Sequence, residues 1–361
     1  MNTEYNQRLE KIEAVLDYWL PEKPDALWLE KVFGPIIGVG KSTVDPALAA
    51  TLSLPGWDLV KRGGKRWRPL LMLLIAESIA GESGAEKALP LTPLVEFPHN
   101  ASLIHDDIED NSDERRGKPA VHLIYGMETA INSGAFMYFL PLACLKAWKG
   151  EAVLKEKIRA LWGDHMRALH LGQAMDISWH RDFHSLPGLD EYDRMCRLKT
   201  GCLARLAAVL GVHCVGVRNI GENTLELAST FADAAELLGV GFQILDDVKN
   251  LSKGVPGKKR GDDIVEGKKS LPVLLFLHRY PEKRDFVARC FAAARSGGNI
   301  VPEVEEIITA IDKTGILEEA NGQGLEYINK SREIFSSREV AGFHLLDDGR
   351  NRLAGLVDLL L

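Results

Sequence analysis

No apolar run in this chain approaches the about twenty residues needed to cross a bilayer. The nearest, LLMLLIAESIA at residues 70–80, is short and interrupted by Glu77. Residues 1–20 are polar and amphipathic, without the apolar centre of a signal peptide. Cysteine is scarce: five residues, an odd number, with no CxxC pair. Free, mostly buried thiols in a reducing compartment are therefore expected, and with them a cytoplasmic protein. An excess of positive charge is missing too. Forty-four Lys and Arg face 51 Asp and Glu, a net charge of −7, which argues against nucleic acid or an acidic membrane as partner. Any affinity for phosphate must come from local basic clusters. Strand signals are few, and there is no fixed-period repeat, low-complexity segment or composition shift to mark a domain boundary.

What is present is helical periodicity. In NTLELASTFADAAELLGVGFQILDDVKNL, residues Leu225, Ala228, Phe231, Ala235, Leu238, Phe242 and Leu245 recur every three or four positions. Asn223 and Glu226 have the spacing of a capping box at its start. Similar runs cover about 65–81, 91–109, 121–149, 151–180, 190–216, 268–280, 302–315 and 320–337, separated by short breaks such as GESGAE and HSLPGLD. The one long basic, glycine-rich loop is SKGVPGKKRGDD, residues 252–263. The pattern predicts an all-α protein: a helical but more irregular N-terminal arm over residues 1–60, then one continuous domain over 61–361. Ten or more helices around a central cavity are the natural solution.

The densest chemistry lies in HDDIEDNSDERRGKP, where six carboxylates fall between Asp106 and Glu114 and Arg115, Arg116 and Lys118 follow. On a helix Asp106 and Asp110 project together, with Asp107 about 100° around. Like charges stacked this way destabilise a helix by a few tenths of a kcal/mol, and a hard divalent cation such as Mg²⁺ reverses that sign. Alone, such a face is ordinarily just solvated. An echo changes this. FQILDDVKN repeats the spacing with Asp246, Asp247 and Asn250 at the end of an unbroken apolar face, hence at the mouth of something buried. Two such motifs can hold two or three Mg²⁺ ions around one polyphosphate. KRGGKRWRP, residues 61–69, sets five basic residues around a glycine pair before an apolar helix, a suitable cradle for an anion.

The segments GGKRWRP, HNASLIHDDIEDNSDERRGKPAVH, GQAMD, KTG, GFQILDDVKN and DDIVEGKKSLP occur in the order found in trans-isoprenyl diphosphate synthases, the polyprenyl synthetases. The chain resembles that family over about residues 60–280. The resemblance implies the all-α isoprenoid-synthase fold and a Mg²⁺-dependent condensation of isopentenyl diphosphate with an allylic prenyl diphosphate. It implies that Asp106, Asp107 and Asp110 bind Mg²⁺ and the allylic diphosphate, with Asp246 and Asp247 as the second motif. Asp106, Asp110 and Asp246 are the expected metal ligands. Lys65, Arg68, His99 and Arg116 match residues that hold isopentenyl diphosphate. Arg115, Lys199, Thr200, Gln243 and Lys258 match residues lining the allylic diphosphate, and Lys268 matches a further lysine of the EGK segment. A homodimer is the family's usual assembly. Gln173 and Asp176 match a family motif that serves either the cavity wall or the chemistry.

Several positions depart from the family pattern. Asn250 replaces a third aspartate, Asp262 stands where a lysine is common, and Ala135 where an aspartate is common. Pro98 is expected to kink or start the helix that leads to Asp106. Product length in this family is set below the first motif. There Ala101 and Ser102 are small, while Phe97 and Pro98 form a bulky floor one turn deeper, with FMYF at 136–139 on the neighbouring helix. That arrangement predicts a twenty-carbon product, geranylgeranyl diphosphate. GPIIGVGKST misses the spacing of a phosphate loop. His180 and His184 are expected as exposed polar residues, His105 as a support behind the acids, and Trp67, Trp162, Cys196 and Cys202 as core. Two rival readings are a class I terpene cyclase, disfavoured by the intact GGKRWRP and Arg115–Arg116, and a non-catalytic subunit of a heteromeric synthase, disfavoured by the retained acids.

Overall fold

The structure is a computed structural model that describes residues 3–34, 45–216, 223–253 and 260–361. Helices α1 (Thr3–Trp19), α2 (Ala26–Phe33) and α3 (Pro46–Lys61) make up the N-terminal region. The described part of that region is helical, and Pro55 and Gly56 sit inside α3, where they mask its period. Next come α4 (Trp67–Ala80), α5 (Glu82–Ala88) and α6 (Pro93–Glu109). Helix α5 forms where GESGAE predicts a break, and α6 starts at Pro93 and runs on through Pro98.

A two-residue hairpin, β1 (Glu114–Arg115) and β2 (Lys118–Pro119), turns on Arg116 and Gly117, both with positive φ (54° and 75°). Then follow α7 (Val121–Tyr125), α8 (Met127–Ala147), α9 (Ala152–Arg181) and α10 (Leu189–Cys196). A π-helical turn, Arg197–Gly201, leads into α11 (Cys202–Val215). After these come α12 (Thr224–Ser252), α13 (Asp262–Glu266), α14 (Leu271–Arg279), α15 (Arg284–Gly297), α16 (Pro302–Asp312) and α17 (Ile316–Ser336). A second small hairpin, β3 (Glu339–Val340) and β4 (Phe343–His344), precedes α18 (Asp347–Asp358).

The core explains the patterns. In α4 every residue from Trp67 to Ile79 is buried, as befits a helix apolar on all sides. It packs on α11, which packs on α12, which packs on α17. Tyr5, Ile12 and Leu16 of α1 belong to this same core, while the second half of α12 joins α14, α15 and α16 in a separate cluster. Asn223 makes no capping bond. Its amide donates instead to the Ala341 carbonyl at 3.1 Å, so the expected capping box is absent. By length and composition 127–147 and 189–215 are apolar enough to cross a membrane, but 83% of the second window is packed inside the protein.

Two close approaches place the future site. A Cβ on Gly172 of α9 would lie 2.4 Å from the Lys199 nitrogen, and one on Gly239 of α12 would lie 2.8 Å from the Gly201 Cα. The π turn is therefore wedged between two helices at points where only glycine fits. The widened turn points Lys199 and Thr200 inward.

Candidate active site

Helices α4, α6, α8, α9, α11 and α12 enclose a cavity of about 640 Å³. On α6 the residues Glu96, His99, Ser102, Leu103, Asp106 and Glu109 recur at helical spacing and face it. Asp106 and Asp246 line this one cavity from different helices.

The acidic wall is tightly wired. The Gln173 amide donates at 2.5 Å to Asp106 Oδ1 and at 2.5 Å to Glu109 Oε2. Lys199 Nζ donates to Asp176 Oδ2 at 2.6 Å and stands 3.8 Å from Asp106 Oδ1. His180 lies with Nε2 2.8 Å from Asp176 Oδ1 and Nδ1 3.7 Å from Asp110 Oδ1. Burial would raise the Asp176 carboxyl, but Lys199 and His180 hold it well below the carboxylate range. Burial opposes charge on His180, yet Asp176 and Asp110 push it up to about 9. Lys199 is likewise raised against its burial by Asp106, Asp176 and Asp110. The other acids are less compensated. Burial, with Glu266 and Asp106 adding to it, raises Asp110, and burial raises Glu109. This corner holds more negative charge than its cations neutralise.

Asp107 and Asp247 do not face the cavity. Both are fully buried. Asp107 accepts from Arg115 Nε and Nη2 at 2.8 and 2.5 Å. Asp247 accepts from the Tyr192 hydroxyl (2.7 Å), Gln243 Nε2 (2.8 Å), Lys268 Nζ (3.0 Å) and the Leu271 N–H (3.3 Å). Gln243 also accepts from Thr200 Oγ1 at 2.9 Å, and both line the cavity. Lys268 is half-buried against Asp247 and Asp263 and does not line it. Asn250 is 1% exposed and accepts from the Asp263 N–H at 3.2 Å, so it clasps the returning chain rather than facing a ligand. Lys258 lies outside the described residues.

The opposite end is basic. Arg68 Nη1 is 3.4 Å from His99 Nε2, and the buried Arg68 Nε has no hydrogen-bond partner. Burial lowers Arg68 to about 10 despite Glu96. Burial, with Arg68 and Arg116 adding to it, takes His99 well below its ordinary value. Arg116 donates to the Leu59 carbonyl (2.9 Å) and Asn100 Oδ1 (3.1 Å), and burial brings it to about 10. Lys65 and Lys249 line the cavity between the basic end and Asp246; burial lowers Lys65, and repulsion from Lys249 lowers it further. Glu96 offsets part of the charge of Arg68 and Arg116, and Asp246 part of that of Lys65.

Between the charged ends the walls are apolar: Leu103, Tyr138, Leu169, Leu203, Phe242 and Leu245. The expected floor is placed differently. Phe97, Pro98 and Ala101 are buried on the core side of α6 and do not line the cavity, whereas Ser102 does. Tyr138, with its ring centroid 5.7 Å from that of His105 and 5.0 Å from that of His170, lines the cavity together with both histidines. His180 is another correction: it is 7% exposed, turned inward by its two carboxylates, while His184 stays exposed. Its signal was available. Gln173, Asp176 and His180 share one face of α9 at helical spacing.

Among the described residues no three His, Cys, Asp or Glu side chains converge to chelate a cation unaided. The donors at hand are carboxylate oxygens, which suits a hard cation that takes its remaining ligands from water and substrate phosphate.

An all-α bundle whose one cavity is lined by clustered acids, clustered bases and apolar side chains suits substrates with a polyanionic head and a greasy tail. The polyprenyl synthetase family matches residues 49–310, and the chain belongs to that family. It is a trans-prenyltransferase. It is 32% identical over 279 residues to geranylgeranyl diphosphate synthase of Methanosarcina mazei, covering 76% of this chain and 80% of the relative. Geranylgeranyl pyrophosphate synthetase of Pyrococcus horikoshii superimposes with a TM-score of 0.78 at 26% identity, over 98% of this chain and 95% of that one. A polyprenyl synthase of Caulobacter crescentus CB15, complexed with calcium and isoprenyl diphosphate, shares the fold at a TM-score of 0.76 and 23% identity, over 99% and 96% of the two chains.

Proposed function

We propose that the allylic diphosphate binds between Asp106 and Asp110 on one side and Asp246 on the other, with isopentenyl diphosphate held at Lys65, Arg68, His99 and Arg116. The observation that carries this reading is the single cavity lined by Asp106, Asp246, Arg68 and Arg116, in which the buried Arg68 Nε has no hydrogen-bond partner. Magnesium, held by Asp106, Asp110 and Asp246, would neutralise the diphosphate as its carbon–oxygen bond breaks. Lys199 and Arg115 stand where they steady the same leaving group. The Arg68 and Arg116 guanidinium groups hold the second diphosphate, so that the double bond of isopentenyl diphosphate faces the allylic carbon. The elongating tail runs past Ser102 toward Tyr138 and His170, which set its limit at twenty carbons. Two copies pair through the exposed apolar residues Leu123, Ile124, Met127, Ile131 and Phe139.

The test combines purified protein, Mg²⁺ and labelled isopentenyl diphosphate with five-, ten-, fifteen- and twenty-carbon primers. A twenty-carbon product is expected, lengthened by one or more five-carbon units in His170→Ala and unchanged in Phe97→Ala. A cyclic hydrocarbon from one diphosphate alone contradicts the reading. So does a longer product from Phe97→Ala with none from His170→Ala.

A further inference from the structure

Helix α15 lies outside every motif discussed so far, yet one of its side chains joins both halves of the acidic site. Arg295 Nη2 donates to the His180 carbonyl at 3.0 Å and to the Glu266 carbonyl at 2.5 Å. The first carbonyl belongs to the last turn of α9, whose unpaired C=O groups favour a cation. The second ends α13, one residue before Gly267. The guanidinium carbon stands 4.6 Å from the Phe183 ring centroid, so the fork is stacked as well as bonded.

Each anchor leads to a different acid. The side chain of His180 reaches Asp110 and Asp176. Two residues beyond Glu266, Lys268 donates to Asp247, the buried partner of Asp246 in the second motif. The junction is tight: a Cβ on Gly267, which has φ +76°, would lie 3.0 Å from Arg295 Nη2, 3.0 Å from Phe183 Cε1 and 3.3 Å from the His180 oxygen.

Resting on the site assignment above, we infer that Arg295 is a positioning residue that sets the separation of the two acidic walls. It touches neither substrate nor metal, and its effect is confined to the allylic diphosphate and its Mg²⁺. Among the described residues Arg295 bonds to the carbonyls of His180 and Glu266 and not to the basic cluster on α4, α6 and the first hairpin.

The experiment uses the full chain and the unreactive farnesyl S-thiolodiphosphate as probe, with binding measured by calorimetry in Mg²⁺ and the KM for isopentenyl diphosphate measured in parallel. Arg295→Met is expected to weaken thiolodiphosphate binding about ten-fold and to raise the Mg²⁺ needed for half-saturation, because displacements near 1 Å at such sites are costly. The KM for isopentenyl diphosphate is expected to stay within about two-fold of the parent's. Arg295→Lys, which keeps a charged donor but loses the stacked planar fork, should recover part of the binding. Gly267→Ala strains the junction from the other side and should reproduce the selective loss. If Arg295→Met does not fold, the Lys and Ala variants decide. Equal weakening of both substrates, or no weakening in folded variants, overturns the proposal. A parent protein that neither binds the thiolodiphosphate nor condenses its substrates overturns the site assignment instead.

Discussion

In the first acidic motif Asp106 lines the cavity while Asp107 is sealed against Arg115; in the second, Asp246 lines it while Asp247 is sealed against Lys268 and Tyr192. The leading carboxylates are paired across open space, and the following ones anchor the cations and backbone that shape that space. At the third position the motifs diverge. Helix α6 ends at Glu109, so Asp110 caps it and stays within reach of His180. Helix α12 continues to Ser252, and Asn250 is left inside the protein to clasp the returning chain. Matching spacing thus yields matching roles only while the two backbones stay alike.

The sharpest way to break this comparison is at its front. Asp106→Asn and Asp246→Asn should each lower kcat by about 10²–10³-fold, roughly 3–4 kcal/mol in the barrier. The double variant should lose little beyond either single one, since groups acting as a unit are not additive. Steady-state assays at saturating Mg²⁺ check this, and independent, additive losses would separate the two acids. Next in size are the buried partners. Asp107→Ala removes the carboxylate that holds Arg115, and Asp247→Ala leaves Lys268 with Asp263 alone; each should cost about 3 kcal/mol in denaturant unfolding, against less than about 1 for Asp106→Ala and Asp246→Ala.

The smallest effect concerns the third position. Burial, with Glu266 and Asp106 nearby, raises Asp110 above its ordinary value of 3.8 in the folded state. The folded protein therefore binds that proton more tightly than the unfolded chain. Its stability drops as pH rises from the ordinary value through the raised one. Asp110→Asn escapes that loss. In the absence of metal it should unfold at a higher temperature than the parent at neutral pH, with the gap closing on acidification. A variant less stable than the parent at neutral pH contradicts the assignment.

Much of this was legible from residues alone. The shared spacing of Asp106 and Asp246, and the basic cluster with its glycine pair, carry the site because four-residue steps on a helix share a face. What stayed hidden depends on a rotation of about 100° between neighbours. No pattern says which member of an Asp-Asp pair turns inward, and Phe97 turns to the core while Ser102 keeps its expected place on the cavity. The place of His180 at a helix end favours exposure, and the signal against it is the face it shares with Gln173 and Asp176, where Asp110 and Asp176 draw it inside. Pro55 and Gly56 disguised α3, since their helix-breaking tendency is outweighed by burial against Leu20 and Met137.

The most direct measurement is a crystal structure with Mn²⁺ in place of Mg²⁺ and farnesyl S-thiolodiphosphate, the metal located by anomalous scattering. Metal peaks between the diphosphate and the carboxylates of Asp106 and Asp246, with Asp107 still on Arg115 and Asp247 still on Lys268, are the predicted result. Metal bound by Asp107 or Asp247, or a diphosphate that touches only one of the two walls, would contradict it.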